Sequence, residues 1–306
     1  MSLALSTSWN TYRFNSGSKL LFEIKKLGFR AVELSFNLDQ RMVEEILEQA
    51  RKLEIAITSL HNYCPIPENL RRQEALPDCY SLAAVNEEER SKAVKYTKLT
   101  IDTAQRAEAS VVVLHCGRVE IPDFTRQLIN LYNQGLKEDA SFLLLRAKMV
   151  QDRITRAADF LAQAINSLDE LNAYAKDKGI LLGIETRFYH NEIPNISEIG
   201  IILNKFPDSQ IFYWHDTGHA QVTENLGLAK HKAYLDFYGK SLIGVHLHDI
   251  LGCQDHRAPL TGNLDFNLLQ PYLKAETIKV IEAHYPATSA ALVKSRNFIA
   301  KLYNEK

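Results

Sequence analysis

The chain is poor in nearly everything that would mark a specialised class of protein. Its four cysteines, Cys64, Cys79, Cys116 and Cys253, are scattered without a CxxC pair, which argues against a disulfide framework and a thiolate zinc site. No run approaches the roughly eighteen apolar residues of a membrane helix, and no basic-then-apolar leader opens the sequence, so a cytoplasmic protein is expected, with no membrane partner. Acidic and basic residues nearly cancel, leaving a net charge of −1. That removes any bulk attraction to nucleic acid, and RKL, LRRQ and SKAVKYTK read as solvated helix and loop charges. There is no internal repeat, low-complexity tract or interdomain linker. One domain spanning residues 1–306 is expected, and that length buries a large core.

What the chain does have is alternation. Short β-branched runs over residues 3–8, 31–36, 55–61, 110–116, 180–186, 211–216, 242–248 and 279–283 alternate with longer amphipathic runs such as DQRMVEEILEQARKL. SVVVLH and ILLGIE are nearly continuously apolar, as parallel strands covered on both faces require. Gly28 and Gly179 fall where helices should end. Eight strands with intervening helices and a last helix over 289–303 predict a closed (β/α)8 TIM barrel. An open doubly wound sheet would call for a glycine-rich phosphate loop after the first strand, and TSWNTYRFNSGS offers none. Two connections are long: residues 62–85, with three prolines, read as a loop over the barrel mouth, and residues 121–150 as a helical insertion.

In such a barrel the strand C-termini converge on one pocket. The third strand ends in His61, the fourth in His115, the fifth in Glu185, the sixth in Asp216-Thr-Gly-His219, the seventh in His246 and His248, and the eighth in Glu282; Asp255 and His256 follow the seventh. Six consecutive strand ends bearing His or acid are hard to obtain by chance. Glu185 and Glu282 each close an apolar strand, where a carboxylate needs a cation or hydrogen bonds; Arg187 or Lys279 could supply an ordinary ion pair, and a metal ion is the alternative. Asp216 and His219 would face opposite sides of a strand, so Gly218 is expected to turn the chain and aim both at the mouth. His246 and His248 share a face, and periodicity does not choose between them.

DTGH, then HLHD followed by DHRAPLTGNLDF, with Glu ending the fifth and eighth strands, resembles the xylose-isomerase-like TIM-barrel superfamily, which holds sugar isomerases, epimerases and apurinic endonucleases. The likeness runs from GFRAVEL to IEAHY. It implies a metal site of Glu185, Asp216, His246 and Glu282. The endonuclease branch adds ligands for further zinc ions, matched here by His61, His115, His219 and His256. One position departs: Gln254 stands where that branch has Asp, with Asp255 shifted by one, and HRAPLTGN replaces the commoner HLPPGEG.

Three functions fit these residues. The first is a sugar isomerase or epimerase in which a divalent ion polarises a carbonyl and Glu185 and Glu282 exchange the proton, with His219, His248 and Arg257 contacting substrate. The second is a zinc phosphoesterase. The third is a barrel that binds metal or sugar without turnover. The expected cofactor is one to three Zn, Mn or Mg ions per chain. The expected partners are a small carbohydrate and, at most, further copies in a homo-oligomer; nucleic acid is disfavoured.

Overall fold

In a computed structural model that describes residues 3–304, eight parallel strands close in the order β1 (Ala4–Ser6), β10 (Ile278–Ile281), β7 (Leu242–Leu247), β6 (Ile211–Asp216), β5 (Leu181–Glu185), β4 (Val111–Leu114), β3 (Ala56–His61) and β2 (Ala31–Leu34). The expected barrel is therefore present. The barrel strands are three to six residues long, shorter than their apolar runs, so His115 and Glu282 stand one residue past β4 and β10.

Strand alternation sorts each run into an inner and an outer face. Ala4, Ala31, Val111, Val113, Trp214, Ile278 and Val280 pack together as the barrel filling. Trp214 supplies most of that volume because two neighbours lack a side chain. A Cβ on Gly244 would lie 2.0 Å from the indole and one on Gly183 3.1 Å from it. Two residues further along these inward rows come Glu185 after Gly183, Asp216 after Trp214, His246 after Gly244 and Glu282 after Val280. Apolar packing below thus delivers a polar ring above.

The helices bury the outer faces. α1 (Gly17–Lys26) and α5 (Ala140–Lys178) are followed by Gly28 and Gly179 at φ 81° and 68°, the left-handed closure that glycine permits. α2 (Gln40–Leu53), α3 (Glu87–Arg106) and α9 (Ser289–Leu302) match their amphipathic runs. The segment between β3 and α3 carries no regular element. α4 (Thr125–Asn133) stands alone, whereas the rest of the 121–150 region runs into α5, 39 residues in one helix. α6 (Ile196–Lys205), α7 (Thr217–Asn225) and α8 (His231–Tyr238) fill the later crossovers, and a small hairpin, β8 (Asp249–Leu251) with β9 (Gln254–Arg257), rises after β7. Among the described residues no helix is long and apolar enough to cross a membrane.

Beneath the mouth a buried polar chain links β6 to α8. Thr186 Oγ1 lies 2.7 Å from the Tyr213 hydroxyl, which lies 2.7 Å from His215 Nδ1; His215 Nε2 faces His231 Nε2 at 3.0 Å, and His231 Nδ1 meets Gln221 Oε1 at 3.1 Å. Gln221 Oε1 only accepts, so His231 donates from Nδ1 and accepts at Nε2 from His215. A proton added at His231 Nε2 would break the chain, and burial pushes its pKa down to about 4 from 6.5. The unfolded chain then binds this proton before the native one does. Stability is full above about pH 6.5 and falls as pH drops through about 4, by about 3 kcal/mol from this group. His231→Gln, which keeps an acceptor, should flatten that decline in urea-unfolding free energies measured from pH 7 to 4; an unchanged slope would assign the lability elsewhere.

Candidate metal centre

His246 sits at the middle of the polar ring, fully buried. Its Nδ1 lies 2.6 Å from Glu185 Oε1, 3.0 Å from Glu282 Oε2 and 3.7 Å from Asp216 Oδ2. One donor atom from each of these four residues lies within 4.8 Å of the others. Three carboxylates buried this closely repel one another unless positive charge sits among them. Burial disfavours a charged His246, yet Glu282, Glu33 and Glu185 together push its pKa well above the usual value. Burial likewise raises Glu185, but His115, His246 and His61 beside it hold it well below the carboxylate range. The ring is thus a candidate cation site, and a set of three carboxylates and one imidazole suits a divalent ion such as zinc or manganese.

The opposite edge of His246 explains its orientation. Nε2 lies 3.0 and 3.1 Å from the two oxygens of Glu33, itself wholly buried on β2 and bound by the Ser59 hydroxyl at 2.8 Å. A histidine that donates from one nitrogen to a carboxylate presents a more basic lone pair at the other. Glu33→Gln should therefore weaken divalent-metal binding ~10–100-fold, read as a dissociation constant by competition with a chelator. An unchanged constant would show that Glu33 does not orient the ring for a ligand.

The sequence left Glu185 divided between an ion pair and a metal. The structure gives each oxygen a different partner. Oε1 faces His246, while Oε2 pairs with Arg187 Nη1 and lies 2.9 Å from His115 Nε2. Arg187 reaches on to Glu192 Oε1 at 2.8 Å. His61 Nε2 is 3.9 Å from Glu185 Oε2, and the rings of His61 and His115 stand edge-on 4.8 Å apart. Asp78, from the long loop after β3, accepts from His115 Nδ1 at 3.0 Å. Lys279, the other expected partner, has Nζ 3.0 Å from the Thr277 carbonyl.

A further cluster forms beside Asp216. His248 Nδ1 accepts the His256 backbone N–H at 2.8 Å, so its Nε2 donates to Asp216, 2.9 and 3.0 Å from the two oxygens. Both His248 nitrogens are thereby occupied. His219 Nδ1 meets the Thr186 carbonyl at 2.9 Å, leaving Nε2 toward the cleft, and burial pushes its pKa down to about 4. Asp255, one position off the family pattern, still brings Oδ2 to 3.0 Å from His256 Nδ1 and 3.7 Å from His219 Nε2. Burial works against a charged His256, but Asp255 raises its pKa to about 9. Asp249 fixes this loop by accepting backbone N–H groups from Ile250, Gly262 and Leu264.

Gly218 occupies the expected place for a different reason. It is a helical residue in the first turn of α7, not a left-handed hinge, and a Cβ there would fall 2.1 Å from the His248 ring. The helix itself turns His219 back over the mouth, with Asp216 Oδ1 as its N-cap, accepting from the His219 N–H at 2.7 Å.

Above this ring opens a cleft of about 850 Å³. His61, His115, Glu185, His219, His256 and Glu282 all line it; Arg257 does not, and its Nε bonds the Thr261 carbonyl at 2.8 Å. His284, unremarked in the sequence, also lines the cleft and stacks on His256 at 4.0 Å. Glu33 and Asp78 were missed as well. Glu33 carried a readable signal, a carboxylate inside the apolar strand AVEL, whereas Asp78 lies in an aperiodic loop 37 residues from the histidine it touches.

Solved structures share the whole architecture at low identity. A D-tagatose 3-epimerase-like protein is 19% identical, covering 100% of this chain and 99% of its own, with a TM-score of 0.66. The 3-keto-D-glucoside 4-epimerase of E. coli is 14% identical, covering 99% of each chain, at 0.67. The D-allulose 3-epimerase of a Methylomonas species, in complex with D-allulose, is 14% identical, covering 100% of this chain and 93% of its own, at 0.64. No curated protein sequence matches the chain. The family model described as xylose isomerase-like TIM barrel matches residues 21–302, so nearly the entire chain is accounted for, and the protein belongs to that family.

Proposed function

We propose that this chain is a metal-dependent epimerase or isomerase of a ketose or related polyol, with Glu185 and Glu282 as its proton-transfer pair. One observation carries the reading: both carboxylates approach the same imidazole nitrogen, at 2.6 and 3.0 Å, while lining the same cleft. Glu185, Asp216, His246 and Glu282 would hold the ion. When bound, a divalent cation would polarise a carbonyl and its neighbouring hydroxyl and so acidify the intervening C–H. One glutamate takes that proton and the other returns one, giving the epimer or the shifted carbonyl. His219 Nε2 accepts from a substrate hydroxyl, and Phe36, Leu76 and Phe188 give the cleft apolar lining. The sugar epimerases that share this fold favour the same substrate class.

The test is solvent exchange. Incubated with a panel of ketoses and aldoses in deuterated water, the metal-loaded enzyme should place deuterium on the carbon beside the carbonyl of its substrate. Cleavage of a phosphoester without any carbon exchange would overturn the proposal. That outcome belongs to the second reading, a zinc phosphoesterase, which one feature favours: His61, His115 and Glu185 form a ligand cluster of their own. A single metal ion per chain by elemental analysis would leave those histidines to the substrate.

A further inference from the structure

The cleft of about 850 Å³ lies toward the upper end of the ~300–1,000 Å³ that enclose drug-sized ligands. It exceeds what one monosaccharide ring over the glutamate pair would fill. The extra space lies along a wall made by the connection after β4, by α4 and by the turn after β5. Arg126, Ile129 and Asn130, at i, i+3 and i+4, form one face of α4 and all line the cleft. Arg118 lines it from the other side of the same turn.

Backbone contacts bring the two arginines to that turn. Arg118 forms an antiparallel backbone β-bridge with Glu192, and Val119 N–H donates to the Asn191 carbonyl at 2.7 Å. The His190 N–H donates to Thr125 Oγ1 at 3.1 Å, and Arg126 Nη2 bonds the Tyr189 hydroxyl while its guanidinium covers the Tyr189 ring at 5.3 Å. Both side chains are exposed to the cleft. Among the described residues Arg118 Nη1 reaches only the Asp78 carbonyl, at 3.3 Å.

Each of the acids around them already has a partner. Asp123 Oδ1 accepts from Thr125 N and Oγ1, Glu192 binds Arg187, and Asp78 Oδ2 binds His115. Among the described residues neither Arg118 nor Arg126 forms an ion pair. Two guanidinium groups free of carboxylates, on either side of one turn and at the far wall of a cleft floored by cation ligands, match a substrate with opposite needs at its two ends.

We propose that Arg118 and Arg126 form an anion subsite that selects a phosphorylated sugar, seating its phosphate at the far wall from the carbonyl under attack. The inference rests on the epimerase reading for the carbonyl end only.

Calorimetry on the metal-loaded full chain separates the two ideas, with D-fructose, D-fructose 6-phosphate and D-fructuronate as probes. The phosphate ester should bind on the order of tenfold tighter than fructose, and the double change Arg118→Ala/Arg126→Ala should bring the two within about twofold. Both residues are exposed, so the variant should fold, and an unaltered metal content checks that it has. Equal affinities in the parent would overturn the subsite, as would a phosphate preference that survives the double change and therefore resides at the metal. Tighter binding of the uronate than of the phosphate would overturn the choice of phosphate, and failure of all three probes to bind counts against the subsite. Solvent exchange is read separately: an arginine-dependent preference with no exchange on any probe sinks the epimerase reading and leaves the subsite standing.

Discussion

Glu282→Gln should slow turnover ~10²–10⁴-fold, the contribution of a positioned general acid or base. The change preserves shape and a possible oxygen donor while removing basicity, and Glu282 is buried with Oε2 3.0 Å from His246 Nδ1 and 3.9 Å from His256 Nε2. Because the same carboxylate belongs to the proposed ligand set, metal content has to be read alongside the rate. A variant that keeps its ion yet loses both turnover and deuterium incorporation isolates the proton-transfer role. A variant that loses its ion reports ligation. Turnover within a few-fold of the parent, with metal retained, would remove Glu282 from the chemistry.

The largest effect on stability should come from Arg153, far from any proton transfer. Its Nη2 meets Glu198 Oε2 at 2.5 Å and its Nη1 the His190 carbonyl at 2.9 Å, with both side chains almost fully buried. The pair joins the middle of α5 to the first turn of α6, where Glu198 also completes a capping box with Asn195. Arg153→Met strands a buried carboxylate and should cost about 3–5 kcal/mol by urea unfolding. Adding Glu198→Gln, which neutralises the charge and keeps the cap acceptor, should restore much of that loss. If the double variant is no more stable than the single, packing rather than charge sets the cost.

The barrel was legible because buried parallel strands must be apolar along their whole length, and SVVVLH or ILLGIE carries that requirement openly. The short crossovers were not: α6, α7 and α8 span eight to ten residues each, too few turns for a stripe to stand out. Strand ends alone placed Glu185, Asp216 and Glu282 at the mouth, because a closed barrel leaves those side chains nowhere else to converge, but they did not separate His246 from His248; only the family resemblance did. Residues that act through another residue were harder. Glu33 sits in mid-strand, where an end-of-strand rule does not look. His284 lies just past Glu282, in a loop where polarity is ordinary. Gly218 was singled out for freedom of the backbone, and it serves instead as clearance for an imidazole, a distinction that depends on a neighbour thirty residues away.

Asp216 has an obligation beyond the cleft. The carboxylate that faces His246 also closes the first turn of α7, and the positive end of that helix lies against it. Any ion drawing on those oxygens shares them with a backbone amide, so occupancy of the centre and integrity of the helix become reciprocal quantities: what one gains from the other in free energy, the other gains in return. Loading the barrel would then be felt as added persistence of α7, and fraying of α7 as leakage of the ion.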